Sequence, residues 1–232
     1  MIKAVEDLGR AEIGPLPRDR RLMPLAAAPP RIPQLIQLFH AISTLNASHQ
    51  PYILQFVGSV PGEGVSSLAS GFVQIAASQQ GKPVLLIDCN AAPAQAQAVP
   101  SPSLIDAFHE TGAINAAIQP APGRTGIGYA RLSTAEDGRL NIDAGDLRKL
   151  FELAKKAFPI IVLDCPPACL TPESLALARF CDGTVLVIGA EAASRQTIAE
   201  TKQALERFDG QIIGVVFNQY KTYIPRWLER WL

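Results

Sequence analysis

The segment Val57-Gly-Ser-Val-Pro-Gly-Glu-Gly-Val-Ser-Ser67 lies between an apolar run and an alanine-rich helical pattern. A strand, a glycine-rich turn and a helix in this order are the context of a phosphate-binding P-loop. In such a loop, successive backbone N–H groups converge on an anion, and the helix N-terminus adds about half a positive charge. The P-loop pattern places lysine directly after the last glycine, whereas this chain has Val65. The segment therefore predicts a phosphate cradle that lacks its usual cation.

The composition fits one α/β domain with short additions. The chain has 232 residues, 48% of them hydrophobic, and its 21 basic and 21 acidic side chains give a formal net charge of zero. Because there is no overall positive charge, we expect no nucleic-acid partner. No apolar run reaches the roughly 18 residues of a membrane span and no signal peptide is recognisable, so we expect a cytoplasmic protein. The cysteines have no zinc-site spacing and are interpreted as buried thiols: Cys89, Cys165, Cys169 and Cys181.

Three parts of the chain are predicted from its patterning. Residues 1–32 are interrupted by prolines and predict a flexible tail, residues 33–220 predict the P-loop domain, and residues 221–232 predict an amphipathic C-terminal helix. Trp227 and Trp231 share one face of that helix, which we interpret as a contact with its own domain, a partner or a membrane surface.

Within the domain, apolar strands alternate with helical patterns. Continuous hydrophobicity marks strands that are buried on both faces of a parallel sheet, and the alternation implies βαβ units. We therefore predict a P-loop NTPase-like α/β fold with helices on both faces. Strands are predicted at 53–58, 83–88, 127–132, 159–164, 184–188 and 211–217, and helices at 33–45, 65–79, 103–109, 113–118, 144–157, 172–180 and 195–207. Asp143 is the predicted cap of helix 144–157, and residues 90–102 predict a mobile loop.

Carboxylates follow two of the predicted strands. Asp88 ends the strand Pro83–Asp88, and Asp164 ends the strand Pro159–Asp164. Ligands of such sheets bind beyond the C-terminal ends of the strands, so both side chains are expected beside the P-loop. A phosphate cradle with two carboxylates suits a nucleotide with Mg²⁺. We expect Ser66, Asp88 and Asp164 to hold the metal, and Asp88 to orient an incoming hydroxyl.

Three motifs together resemble the bacterial tyrosine kinases of polysaccharide export, within the ParA/MinD-like P-loop ATPases. They are Pro61-Gly-Glu-Gly-Val-Ser66, Val84-Leu-Leu-Ile-Asp88 and Ile161-Val-Leu-Asp-Cys-Pro-Pro167, supported by Asp182-Gly-Thr-Val-Leu-Val187 and Gly214-Val-Val-Phe-Asn218. The resemblance implies ATP or ADP with Mg²⁺ as cofactors and Asp88 and Asp164 as catalytic carboxylates. It also implies a set of cofactor-binding residues: Pro61, Gly62, Glu63, Gly64, Val65, Ser66, Ser67 and Asn218.

Departures from the family pattern affect catalysis and assembly. Val65 replaces the P-loop lysine, and Val60 stands where the positioning ATPases carry a second lysine. The family's charged assembly pattern is reduced to Gln34, Gln37 and His40, and its C-terminal tyrosine cluster to the phosphorylation candidates Tyr220 and Tyr223. We therefore expect weak nucleotide binding and impaired phosphoryl transfer.

The resemblance predicts a cytoplasmic, kinase-like regulatory subunit of an exopolysaccharide, capsule or adhesin synthesis and export system. Such a subunit would contact an inner-membrane copolymerase or chain-length protein, with self-association left open and peripheral membrane contact through Trp227 and Trp231. Two alternatives stay open: an active tyrosine autokinase that uses a cation supplied by a partner, and a ParA/MinD-like positioning ATPase.

Overall fold

The structure, a computed structural model, describes residues 32–45, 51–90, 102–121, 124–133 and 140–219. Several sequence predictions lie outside these residues. They concern the tail up to residue 31, nearly all of the loop at 90–102, the phosphorylation candidates Tyr220 and Tyr223, and the C-terminal helix with Trp227 and Trp231. Among the described residues, no helix combines the length and the hydropathy that a membrane crossing requires.

A seven-stranded sheet forms the centre of the described part of the chain. Its spatial order is β3-β4-β2-β5-β1-β6-β7, and all pairs are parallel except the β3–β4 pair. The strands are β1 (Tyr52–Gly58), β2 (Val84–Asp88), β3 (Gln119–Pro120), β4 (Ile127–Arg131), β5 (Ile160–Asp164), β6 (Gly183–Gly189) and β7 (Ile212–Asn218). This architecture confirms the predicted α/β fold with a mostly parallel sheet.

Helices cover both faces of the sheet. They are α1 (Ile32–Leu45), α2 (Val65–Gln80), α3 (Leu104–Thr111), α4 (Ala144–Ala157), α5 (Pro172–Ala178) and α6 (Arg195–Arg207), with a short 3-10 helix at Asn115–Ala117. One face packs against α1 and α2, where Phe72 contacts both Phe39 and Phe56. The other face packs against α3, α4, α5 and α6. We call the first of these the α1–α2 face, because it carries the candidate site.

Local signals in the sequence explain where several helices begin and end. Helix α3 begins with a capping box, in which Ser103 Oγ accepts from the Asp106 amide and the Asp106 carboxylate accepts from the Ser103 amide. The predicted cap of α4 is confirmed, because Asp143 accepts hydrogen bonds from the amides of Gly145 and Asp146. Helix α2 ends at Gly81, whose φ of 61° is readily adopted only by glycine.

Several details differ from the sequence prediction, including element boundaries that shift by one or two residues, such as the end of α5 at Ala178 instead of residue 180. The predicted helix at 113–118 is only a 3-10 turn, and β3 was not predicted because two residues that include a proline give no strand pattern. Strand β7 begins and ends one residue later than predicted. Cys89 and Cys165 are buried as expected and Cys181 is half-buried, but Cys169 is exposed, because it lies in the turn that follows Pro167.

Candidate functional site

Two glycines bend the P-loop between β1 and α2. Gly62 and Gly64 have φ angles of 86° and 84°, a region that side chains with a Cβ rarely adopt. Helix α2 begins at Val65, so the amides of its first turn have no partner within the helix. These amides and the positive end of the helix dipole lie beside the loop. The backbone therefore has the glycine geometry and the adjacent helix N-terminus that the predicted anion cradle requires.

The carboxylate of Glu63 lies inside the loop. Its Oε2 accepts hydrogen bonds from the amides of Ser59 at 2.5 Å and Val60 at 3.0 Å, and its Oε1 accepts from the amide of Gly189 at 3.2 Å. Glu63 is only 1% exposed. A Cβ added at Gly58 would lie 2.5 Å from Oε2, so glycine is needed at that position too. Sequence reasoning placed Glu63 among the cofactor-binding residues, whereas the structure places its side chain where it holds the loop onto β6.

Two side chains at the end of β7 hold the loop from the other side. Asn218 Nδ2 donates to the carbonyl oxygen of Glu63 at 2.9 Å, and Gln219 Nε2 donates to that of Gly62 at 2.7 Å. A Cβ at Gly64 would collide with the Asn218 amide. Asn218, predicted to bind the cofactor, is thus adjacent to the cradle and contacts its backbone.

The side chain of Val65 is buried in the core instead of being exposed at the cradle. Its side chain is 8% exposed and belongs to the hydrophobic cluster of the α1–α2 face. Its Cγ2 would lie 3.0 Å from a Cβ added at Gly58, so it packs beneath the start of the loop. Pro61 and Ser66 are exposed and Ser67 is half-buried, so the rest of the predicted loop is accessible.

Asp164 is the buried acid of the site. Burial raises its pKa from 3.8 to about 7, a hydrogen bond with Ser66 acts in the opposite direction, and the negative charge of Asp88 raises the pKa further. Asp164 Oδ1 is buried and has no hydrogen-bond partner among the described residues. An unsatisfied carboxylate oxygen beside a serine hydroxyl is chemically suited to a hard cation such as Mg²⁺. Ser66 and Asp164, two of the three predicted metal ligands, therefore lie together.

Asp88 is neighboured by Asp164 across the sheet and has its own partners. The two residues are in register between β2 and β5. Asp88 Oδ1 accepts from the Asn90 amide at 3.0 Å and from Asn90 Nδ2 at 2.9 Å, while Oδ2 accepts from the Tyr129 hydroxyl at 2.9 Å. Arg131 forms an ion pair with Oδ2 at 3.6 Å. Asp88 is thus held firmly, which fits an orienting role better than that of a free metal ligand.

Sequence reasoning missed Asn90, Tyr129 and Arg131. Burial and the charge of Asp88 raise the pKa of the Tyr129 hydroxyl, which therefore stays protonated and keeps donating to Asp88. The available signal was the predicted strand at 127–132, since pairing it beside β2 would have brought its last residues to the site. No group of three or more His, Cys, Asp or Glu side chains suited to a metal occurs in the described ranges. Any Mg²⁺ here would thus need phosphate or water ligands as well.

Two relatives with similar sequences are tyrosine-protein kinases. No protein-family model matches the chain. The tyrosine-protein kinase CpsD of Streptococcus agalactiae is 24% identical over 180 residues, covering 72% of this chain and 75% of that protein. The tyrosine-protein kinase YwqD of Bacillus subtilis (strain 168) is 23% identical over 192 residues, covering 78% and 77%. This chain is therefore similar in sequence to bacterial tyrosine-protein kinases.

Solved structures show the same fold. The kinase domain of the Escherichia coli tyrosine kinase ETK aligns with a TM-score of 0.67 at 18% identity, covering 84% of this chain and 79% of that one. The cell division ATPase MinD of Pyrococcus furiosus aligns with a TM-score of 0.60 at 20% identity, covering 76% of each. The resemblance to bacterial tyrosine kinases is thereby confirmed, and the fold is shared with the MinD ATPase.

Proposed function

We propose that this chain is a kinase-like regulatory subunit of an exopolysaccharide, capsule or adhesin synthesis and export system, and that it acts by binding rather than by phosphoryl transfer. The observation that carries this proposal is the burial of Val65 at the position where a P-loop has its lysine. The loop keeps its glycine geometry, yet the residue that should present a cation to the phosphates is buried in the core. A charge-assisted hydrogen bond contributes about 1.5–3 kcal/mol, so its loss weakens binding about 10- to 100-fold. Transfer loses more, because that cation also neutralises charge in the transition state.

The residues present fit a nucleotide with Mg²⁺. The backbone of residues 61–67 would hold phosphate, and Ser66 with Asp164 would hold the metal, which would draw electron density from the phosphate oxygens. The support is the unsatisfied Oδ1 of Asp164 and its neighbouring hydroxyl. Protonation of Asp164, whose pKa is about 7, competes with the metal, so metal binding should weaken as the pH falls below about 7.

The same proposal includes a partner and a place in the cell. The partner is an inner-membrane copolymerase or chain-length protein, and the subunit is cytoplasmic and reaches the membrane through it. This part rests on the family resemblance. Gln34, Gln37 and His40 are exposed on α1, where they replace the glutamate and arginine side chains that an assembly of the family's kind would pair. Self-association through other surfaces would appear as a change of mass with concentration.

Calorimetric titration with ATP and Mg²⁺ tests the nucleotide part. We expect the native chain to bind ATP weakly and Val65→Lys to bind about 10-fold or more tightly. Val65→Met is the matched control, because it changes the packing without adding charge, and it should bind like the native chain. Labelled ATP should leave no label on the native chain, with or without the membrane partner. Turnover of ATP at ordinary kinase rates by the native chain would refute the regulatory proposal.

A further inference from the structure

Four residues form a row across the α1–α2 face at the C-terminal edge of the sheet. Arg131 of β4 is in register with Asp88 of β2, Asp88 with Asp164 of β5, and Asp164 with Phe56 of β1. The P-loop begins at Gly58, two residues beyond Phe56. Neighbouring strands lie about 4.8 Å apart, so Arg131 is only about two strand spacings from Asp164.

All members of this row project towards the helix that carries the loop. Side chains two residues apart point to the same face of a strand. Leu86 precedes Asp88 by two residues, Val162 precedes Asp164, and Tyr129 precedes Arg131. Leu86 and Val162 belong to the cluster beneath α1 and α2, and Tyr129 packs against it. Arg131 therefore lies on the same face as the start of α2, and its side chain is 18% exposed.

The guanidinium of Arg131 forms an ion pair with Asp88 but no close hydrogen bond with it. The separation of 3.6 Å is longer than a hydrogen bond. The close hydrogen bonds of Asp88 come instead from Tyr129 at 2.9 Å and from Asn90 at 2.9 Å and 3.0 Å. A guanidinium has five N–H donors in a planar fork that matches the oxygens of a phosphate. Arg131 also interacts with the Tyr129 hydroxyl. These two partners do not engage all five donors, so the ion pair holds a cation with further donors at the edge of the site.

We propose that Arg131 is a phosphate-binding residue of this pocket, which contacts the terminal phosphate of a nucleoside triphosphate and supplies from β4 the positive charge that Val65 cannot. The inference rests on the proposed nucleotide site. The loop cradles the inner phosphates, while the carboxylates of β2 and β5 lie on the side of the terminal one. Arg131 lies beyond those carboxylates as seen from the loop, so it discriminates ATP from ADP and leaves the binding of ADP nearly unchanged.

Titrations of ATP and ADP in the presence of a chelator test the proposal, because Mg²⁺ is then excluded. The native chain should bind ATP about 10-fold more tightly than ADP. Arg131→Gln should remove this preference by weakening ATP binding about 10-fold with little change for ADP, and Arg131→Lys should keep part of it. Arg179→Gln is the matched control, since Arg179 forms an ion pair with Asp209 at the surface, away from the site. It should behave like the native chain.

A double-mutant cycle separates phosphate binding from a bracing role for Arg131. If Lys at position 65 and Arg131 serve the same phosphates, Val65→Lys should raise ATP affinity more in the Arg131→Gln background than in the native one. Equal ATP and ADP affinities in the native chain would overturn the role of Arg131 without any variant having to fold. Parallel losses for both nucleotides in Arg131→Gln would also overturn it, and both results leave the proposed function standing. Absence of nucleotide binding by the native chain and by Val65→Lys would overturn both.

Discussion

Replacement of Asp164 by asparagine should change how the stability of the fold depends on pH. Asp164 is 7% exposed, and its Oδ1 has no hydrogen-bond partner within the described residues. Its carboxylate is therefore poorly solvated, and its pKa is raised to about 7 from an ordinary value of 3.8. The asparagine side chain has nearly the same shape and no charge at any pH.

The size of the effect follows from proton linkage. Because the folded pKa lies above the unfolded one, the folded state binds more protons between about pH 4 and pH 7. The free energy of unfolding therefore falls as the pH rises through this window. With one pKa unit equal to about 1.4 kcal/mol, the Asp164 contribution falls by about 2.5 kcal/mol between pH 5 and pH 8. Asp164→Asn lacks this loss, so its stability relative to the native chain should rise by about that amount.

Urea unfolding of both proteins at pH 5, 6, 7 and 8, in the presence of a chelator, measures the difference. The other titrating groups are common to both chains and cancel. Asp209→Asn is the control for removal of one carboxylate from an exposed position. A stability difference that does not change with pH for Asp164→Asn would refute the raised pKa and with it the inference that Asp164 is a buried, poorly solvated acid. Saturating ATP with Mg²⁺ should shrink the slope, because a metal held by Asp164 favours its ionised form.

Three further changes test the loop and a helix end. Glu63→Ala should lower the free energy of unfolding by at least about 3 kcal/mol in urea titrations, because it leaves three backbone amides without their charged acceptor. Glu63→Gln should lower the free energy of unfolding less, since the oxygen of its side-chain amide still accepts hydrogen bonds from backbone amides. Gly64→Ala should lower the free energy of unfolding more than Gly81→Ala, for which we expect a loss of about 1–2 kcal/mol. Both glycines have positive φ, but only at Gly64 would the added Cβ displace Asn218. Ser103→Ala should cost about 1 kcal/mol in thermal or urea unfolding through loss of the capping box.

Most of the fold could be predicted because its strands are buried on both faces. Strands β2 and β5 are continuous apolar runs up to their final aspartate, β1 is interrupted by Gln55, and every residue of β1 and β5 is indeed buried. Such runs, alternating with amphipathic helices, leave few topologies open. The two-residue β3 gave no pattern, since its pairing depends on β4 rather than on its own sequence. The 3-10 turn at Asn115–Ala117 was too short to be distinguished from an α-helix.

The site was predictable in part, because a motif records local spacing and not contacts made across the sheet. The loop, Asp88 and Asp164 follow from strand ends and glycine spacing. Glu63 bonds to Gly189, which is 126 residues away in sequence, and Tyr129 bonds to Asp88 across 41 residues. Neither hydrogen bond can be predicted from the local sequence pattern. The cofactor contact of Glu63 stays a prediction, and the structure adds that its side chain supports the loop.

The buried carboxylate of Glu63 explains how the cradle can persist without a lysine. An anion inside the loop already satisfies the amides of Ser59 and Val60, and the side chains of Asn218 and Gln219 satisfy carbonyl oxygens of the same loop. The loop geometry is therefore held by the protein itself and needs neither a phosphate nor the cation at position 65. Loss of that cation removes binding energy and transition-state stabilisation, but it leaves the fold of the loop intact. A P-loop built in this way can give up phosphoryl transfer and keep a shaped anion site, which is the separation of recognition from chemistry that the proposed function requires.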